Sequence, residues 1–112
     1  MNVVVVGAGI VGLAAARELA ERGANVVVCE KGSVGSGSTE RSAGGIRTQF
    51  STPVNVRLSQ ESIETWSSFE ERFGVDIAYR RAGYLFLARG ESTAADFEAN
   101  VAMQRDLGVD SE

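Results

Sequence analysis

Histidine is absent from all 112 residues of this chain. It therefore supplies no imidazole base, no imidazole metal ligand and no histidyl attachment for a prosthetic group. A single cysteine, Cys29, excludes an internal disulfide and leaves no cysteine cluster for zinc. Set among valines, Cys29 reads as a small buried hydrophobe. Lys31 is the only lysine, and arginine supplies every other basic side chain. A GC-rich or a salt-adapted genome would give that bias equally well. The net charge of −4 offers no electrostatic attraction to nucleic acid or to an anionic membrane. Residues 3–16 carry no charge, but the run falls short of the roughly 20 residues a spanning helix needs. It also contains patterned glycines and has no basic leader. These absences predict a soluble, cytoplasmic chain with no membrane span, no nucleic-acid partner and no metal. Its length suits one small domain or a piece of a larger one.

What is present is concentrated at the start. Residues 3–30 read VVVVGAGIVGLAAARELAERGANVVVCE. Val3 to Val6 have the β-branched, uninterrupted apolarity of a strand buried on both faces. Gly7-Ala8-Gly9-Ile10-Val11-Gly12 then supplies a G-x-G-x-x-G turn, followed by a helix-like stretch from Ala14 to Arg22 that Gly23 stops. Ala24 to Cys29 read as a second strand, and Glu30 closes it eighteen positions after Gly12. This is the order of a βαβ unit that holds a dinucleotide. Gly7 lets the chain leave the strand sharply, and Gly9 lets the backbone approach a pyrophosphate. Gly12 lets the helix pack close to the sheet, and the helix start turns its free N–H groups and positive dipole end toward the phosphates. The Glu30 carboxylate is placed to accept hydrogen bonds from ribose hydroxyls. It would repel a 2′-phosphate.

Residues 31–45, KGSVGSGSTERSAGG, carry no apolar periodicity and are dense in glycine and serine. A loop of this length inside a compact domain is unusual unless it has a function, and its hydroxyls suit wrapping a ligand. A plain NAD-binding fold would instead continue from Glu30 into another helix and a third parallel strand.

Glu30, the Ser/Gly loop, the segment Ser42-Ala43-Gly44-Gly45-Ile46-Arg47-Thr48-Gln49-Phe50 and the later Gly83-Tyr84-Leu85-Phe86-Leu87-Ala88 together resemble the FAD-dependent amine and amino-acid oxidoreductases. That family includes D-amino-acid oxidase, glycine oxidase, sarcosine oxidase and dye-linked proline dehydrogenase, and the likeness is nearest to the sarcosine oxidase β-subunit and proline dehydrogenase type. It covers nearly all of this chain but about the first third of such a protein. The resemblance implies FAD as cofactor, held by Gly7 to Gly12, with Glu30 on the adenosine ribose and Lys31 beside the adenosine. Ser38, Thr39, Arg41 and Ser42 would follow the FAD toward its flavin end. Arg47 would pair with a substrate carboxylate through the planar fork of its guanidinium, or would brace the loop. Gly44-Gly45 departs from the bulkier or basic residues of some relatives, so no substrate identity is carried across.

The rest reads as scaffold. Leu58, Ser62, Trp66, Phe69 and Phe73 recur at helical spacing from Val54 to Phe73, with Ile63 widening the stripe, Pro53 at the start and Gly74 at the end. Trp66 reads as core. Val75–Tyr79 and Gly83–Ala88 read as two short strands joined at Arg80–Arg81–Ala82. A last helix would begin near Thr93, pair Thr93 with Asp96 as a weak cap, and close at Gly108.

The fold class expected is therefore α/β: a Rossmann-like βαβ FAD-binding unit with the start of an α+β substrate domain, incomplete relative to the family. Residues 1–50 form the FAD-binding unit and its loop, 51–74 a helix, and 75–112 the start of the substrate-domain hairpin and helix. The whole protein would oxidise a primary or secondary amine or amino acid by hydride transfer to flavin, and no general base is evident in this chain. The alternatives are a non-catalytic truncated or split-subunit fragment that needs a partner chain, or an NAD-binding module. As a fragment it would leave valine faces uncovered, dissolve poorly and hold FAD weakly.

Overall fold

A computed structural model describes residues 1–112. The elements are β1 (Asn2–Val6), α1 (Ile10–Glu21), β2 (Asn25–Cys29), α2 (Pro53–Ser67), α3 (Phe69–Phe73) and α4 (Glu91–Asp106). They fall into two compact units, Met1–Gly45 and Ile46–Glu112.

In the first unit β1 and β2 pair in parallel, with Asn2 opposite Asn25 and Val6 opposite Cys29. A parallel pair needs a crossover, and α1 provides it while packing on both strands. The side chains of Asn25 and Asn2 join the strand starts through a 3.1 Å hydrogen bond. Helix α1 ends as its glycine requires. Gly23 takes φ +84, its N–H reaches the Ala20 carbonyl and the Ala24 N–H reaches the Leu19 carbonyl, the paired closure that a left-handed residue allows. Exposed pairs of Arg17 with Glu18 and Glu21, and of Arg22 with Glu18, decorate the outer side of α1 and contribute little.

The valine strands are not buried on both faces. Ala16 of α1 is buried, whereas Val4, Val6 and Val27 are exposed, because α1 covers one side of this two-stranded sheet. Cys29 is exposed as well, correcting the buried hydrophobe expected of it.

In the second unit, Pro53 opens α2 and Thr52 caps it through its carbonyl, which accepts the Val56 N–H. Val56 is wholly buried. The single helix expected over 54–73 is interrupted at Ser68. There the Glu64 carbonyl accepts the Ser67 hydroxyl, the Ser68 hydroxyl and the Ser68 N–H, and such side-chain competition for a helix carbonyl bends or ends the ladder. The aromatic stripe survives the break, with Trp66 stacked on Phe69 and Phe69 against Phe73.

No strand forms over 75–88. The Asp76 carboxylate accepts the Ala78 N–H at 2.6 Å, and Ala78 and Gly83 both take positive φ. These turns break the extended run, and neither segment finds a ladder partner. Helix α4 begins at Glu91, two residues before Thr93. Gly90 is its cap, the Gly90 carbonyl accepts the Ala94 N–H, and Thr93 and Asp96 lie within the helix. Gly108 closes it as Gly23 closes α1, with φ +82 and the Val109 N–H on the Gln104 carbonyl.

Burial separates two valines on the same helix. Val56→Ala removes about two buried methylene equivalents, at about 0.8 kcal/mol each plus a cavity term, and should cost the second unit about 2 kcal/mol. Val54→Ala, at a 61% exposed site, should change stability by less than about 0.5 kcal/mol. Urea unfolding followed by Trp66 fluorescence measures both.

Candidate dinucleotide site and arginine cleft

The glycine turn sits at the junction of β1 and α1. Gly7 takes φ +103 and its N–H closes the sheet on the Cys29 carbonyl at 2.7 Å. A side chain at Gly7 would meet nothing within 4 Å, so conformation is what requires glycine there. At Gly12 the reason is space. An added Cβ would lie 2.0 Å from the Gly7 carbonyl oxygen and 3.5 Å from a Val5 methyl. At Gly9, the cap of α1, it would lie 3.2 Å from the Thr39 hydroxyl.

Glu30 projects from the end of β2 into this turn. One carboxylate oxygen accepts the Ala8 N–H at 2.8 Å and the other accepts the Gly32 N–H at 2.8 Å. Those two bonds, the Ala8 one foremost, hold the Glu30 carboxyl below its ordinary value of 4.5. The Lys31 N–H and ammonium act in the same direction against partial desolvation. Ala8 is 2% exposed.

The Ser/Gly loop folds back onto the same turn. The Gly35 N–H donates to the Ala8 carbonyl at 2.9 Å, and the Ile10 N–H donates to the Thr39 hydroxyl at 3.0 Å. The loop is itself wound by Ser36 on Ser33, Glu40 on Gly35 and Ser42 on Thr39. No side chain of the Gly9 cap and no acidic residue fills the first turn of α1. Apart from the Ile10 N–H held by Thr39, that end of the helix keeps N–H groups for an anion.

Of the residues expected at the cofactor, the structure brings Gly7, Ala8, Gly9, Ile10, Gly12, Glu30 and Thr39 together. Val11 is exposed on the first turn of α1. The side chains of Lys31, Ser38 and Arg41 are exposed and form no hydrogen bond, and the Ser42 hydroxyl accepts the Gly44 N–H within the loop. Gly32 and Gly35, which carry the N–H groups that fasten the loop, were not singled out. Their only signal in the sequence is a glycine within a few positions of the acid, and Gly35 shows its need in a φ of +78.

Arg47 belongs to the second unit. Its guanidinium carbon lies 5.2 Å from the centre of the Phe50 ring and 5.3 Å from that of Phe86. It faces a cleft of about 500 Å³ whose walls include Gln49, Tyr84, Phe86, Phe97 and Asp110. No carboxylate pairs with it. Aromatic faces hold the guanidinium instead, leaving the donors of its fork for another acceptor.

A strand-to-helix glycine turn beneath an acid from the next strand defines a dinucleotide-binding protein, and the family described as FAD dependent oxidoreductase matches residues 2–112. The chain belongs to that family, whose cofactor is FAD. It is 41% identical over 120 residues to FAD-dependent oxidoreductase domain-containing protein 1 of Xenopus laevis, an alignment covering 96% of this chain and 24% of that protein. It is 34% identical to glycine oxidase of Geobacillus kaustophilus (strain HTA426), over 96% of this chain and 30% of the relative. Among solved structures it matches L-proline dehydrogenase from P. horikoshii with a TM-score of 0.85 and 43% identity, covering 95% of this chain and 28% of that one. The chain thus spans about a quarter of the length of these relatives. No helix is long and apolar enough to cross a membrane.

Two outcomes test this geometry. Gly12→Ala should destabilise the first unit by about 3 kcal/mol or more, since a backbone carbonyl must move; thermal unfolding followed by circular dichroism measures it. The Ala8 and Gly32 amide protons should titrate together, with a midpoint below the 4.5 of an ordinary glutamate. Because the folded-state value is the lower one, stability from Glu30 is fully present above the ordinary value and is lost as pH falls through the folded one.

Proposed function

We propose that the chain is the FAD-binding portion of an oxidoreductase that oxidises a primary or secondary amine, of amino-acid type, by hydride transfer to the flavin. The observation that carries this reading is the Glu30 carboxylate lying in the mouth of the Gly7–Gly12 turn, 2.8 Å from the Ala8 N–H. The names of relatives support the amine: one is a glycine oxidase and another an L-proline dehydrogenase.

FAD, when bound, supplies the hydride acceptor. The chain's own residues bind and orient. Gly9 and the first turn of α1 receive the pyrophosphate through backbone N–H groups. Gly12, with no room for a side chain, keeps α1 close enough for that approach. Glu30, already ionised and fixed by two N–H groups, accepts from the adenosine ribose, and Lys31 lies beside the adenosine. Ser38, Thr39, Arg41 and Ser42 line the path toward the flavin end. Arg47 binds the substrate carboxylate in two in-plane hydrogen bonds. Residues 1–50 carry the cofactor, and 51–74 and 75–112 open the substrate domain.

Titration of the chain into FAD should quench flavin fluorescence saturably. Loss of a hydrogen bond to a charged group costs about 1.5–3 kcal/mol, so Glu30→Gln should weaken binding by roughly ten-fold or more. Thermal stabilisation by NAD with none by FAD would replace this reading with that of an NAD-binding module.

A further inference from the structure

Gln104 is 4% exposed, an uncommon place for an uncharged amide unless both its nitrogen and its oxygen find partners. Its Nε2 donates to the Phe50 carbonyl at 2.9 Å and its Oε1 accepts the Ser111 hydroxyl at 2.7 Å. The Ser111 carbonyl in turn accepts the Arg105 Nε at 2.5 Å, which fixes the terminal turn around the amide. Phe50 carries one of the two rings beneath the Arg47 guanidinium. The other ring, Phe86, is met edge-on by Phe97 at 6.1 Å. Phe97 and Gln104 stand seven residues apart on α4, and so share one face of it. One helix face therefore holds both supports of Arg47, one through a backbone carbonyl and one through an aromatic edge.

We infer that Gln104 is the positioning residue for Arg47, acting through the Phe50 carbonyl to set the plane and reach of the guanidinium over the cleft. The inference rests on the proposed role of Arg47 as the carboxylate-binding group. Both ends of the amide are needed: the oxygen, held by Ser111, fixes which edge faces Phe50, and the NH2 makes the bond.

The test uses the 15N-labelled 112-residue chain and the Nε–Hε resonance of Arg47, assigned by its disappearance in Arg47→Lys. Ring currents of Phe50 and Phe86 displace that resonance from the position of an unstacked arginine. Gln104→Glu keeps size and the acceptor for Ser111; burial raises its carboxyl above the ordinary glutamate range, so the spectra are taken across a pH series, and the ionised form cannot donate to Phe50. It should return the Arg47 resonance most of the way toward the unstacked position, with the β1, α1 and β2 amides unmoved. Isobutyrate, a carboxylate on a small apolar body, should bind the parent and lose at least five-fold in affinity in Gln104→Glu. An Arg47 resonance that does not move in this variant overturns the proposal. If the resonance moves but isobutyrate leaves the parent spectrum unchanged, positioning stands and the carboxylate role of Arg47 is what fails. Should Gln104→Glu collapse the shift dispersion of the second unit's amides, Ser111→Ala carries the same test by freeing the amide to rotate. An unmoved Arg47 there overturns the proposal, and a partial return supports it.

Discussion

The Glu30 carboxylate is the constraint on which the first unit depends. It is a charged acceptor at the end of β2 that takes one N–H from the glycine turn and one from the loop that follows. Charge-assisted bonds of this kind are about twice as strong as neutral ones. Two segments distant in sequence therefore meet at one side chain: the exit of β1, and the end of β2 with the Ser/Gly loop that continues from it. With Gly35 bonded to the Ala8 carbonyl and Thr39 to the Ile10 N–H, the loop lies back on the turn instead of running free. The peptide flanked by Ala8 and the start of α1 is thus fixed before any ligand arrives. The acid that closes β2 therefore also organises the glycine turn at the exit of β1.

This part of the molecule was legible because its signals are local and redundant. A β-branched run, three glycines, an alanine-rich helix and an acid each point to the same unit, and the structure puts them at one junction. Burial was less legible. Val4 and Val6 have the composition of a strand covered on both faces, but composition describes a residue's preference, and α1 covers one side. Cys29 was misplaced for the same reason. Residues 75–88 failed differently. Strand propensity in Tyr84-Leu85-Phe86-Leu87 is strong, yet a strand exists only when paired, and the short-range bond from the Ala78 N–H to the Asp76 carboxylate bends the preceding segment. Ser68 shows the same lesson in a helix. The apolar stripe predicts continuity, while two adjacent hydroxyls compete for one carbonyl.

The second unit is organised by amides as much as by apolar burial. Val56 is its fully buried hydrophobe, and two glutamines reach across it. Gln60 of α2 donates to the Leu107 carbonyl at the end of α4, while Gln104 of α4 donates to Phe50 ahead of α2. The apolar periodicity of α2 and α4 gives no sign of either bond, because a glutamine on a helix carries no mark of where its amide goes. No buried side-chain nitrogen or oxygen is left without a partner. That matters here, since a half-satisfied polar network destabilises more than an apolar one would.

How Arg47 is held decides what it can bind. An arginine fixed by an acid has its fork filled and its charge neutralised. An arginine fixed by rings is restrained through its face, and its five N–H donors, which lie in the guanidinium plane, remain available. Each ring contact at an exposed site is worth about 0.5–1 kcal/mol, enough to favour one orientation but too little to bind a ligand on its own. Asp110 lines the same cleft without closing on Arg47. The guanidinium is therefore held by its face with its in-plane donors free of any ion pair, an arrangement that matches a planar anion in charge and in the plane of its two oxygens.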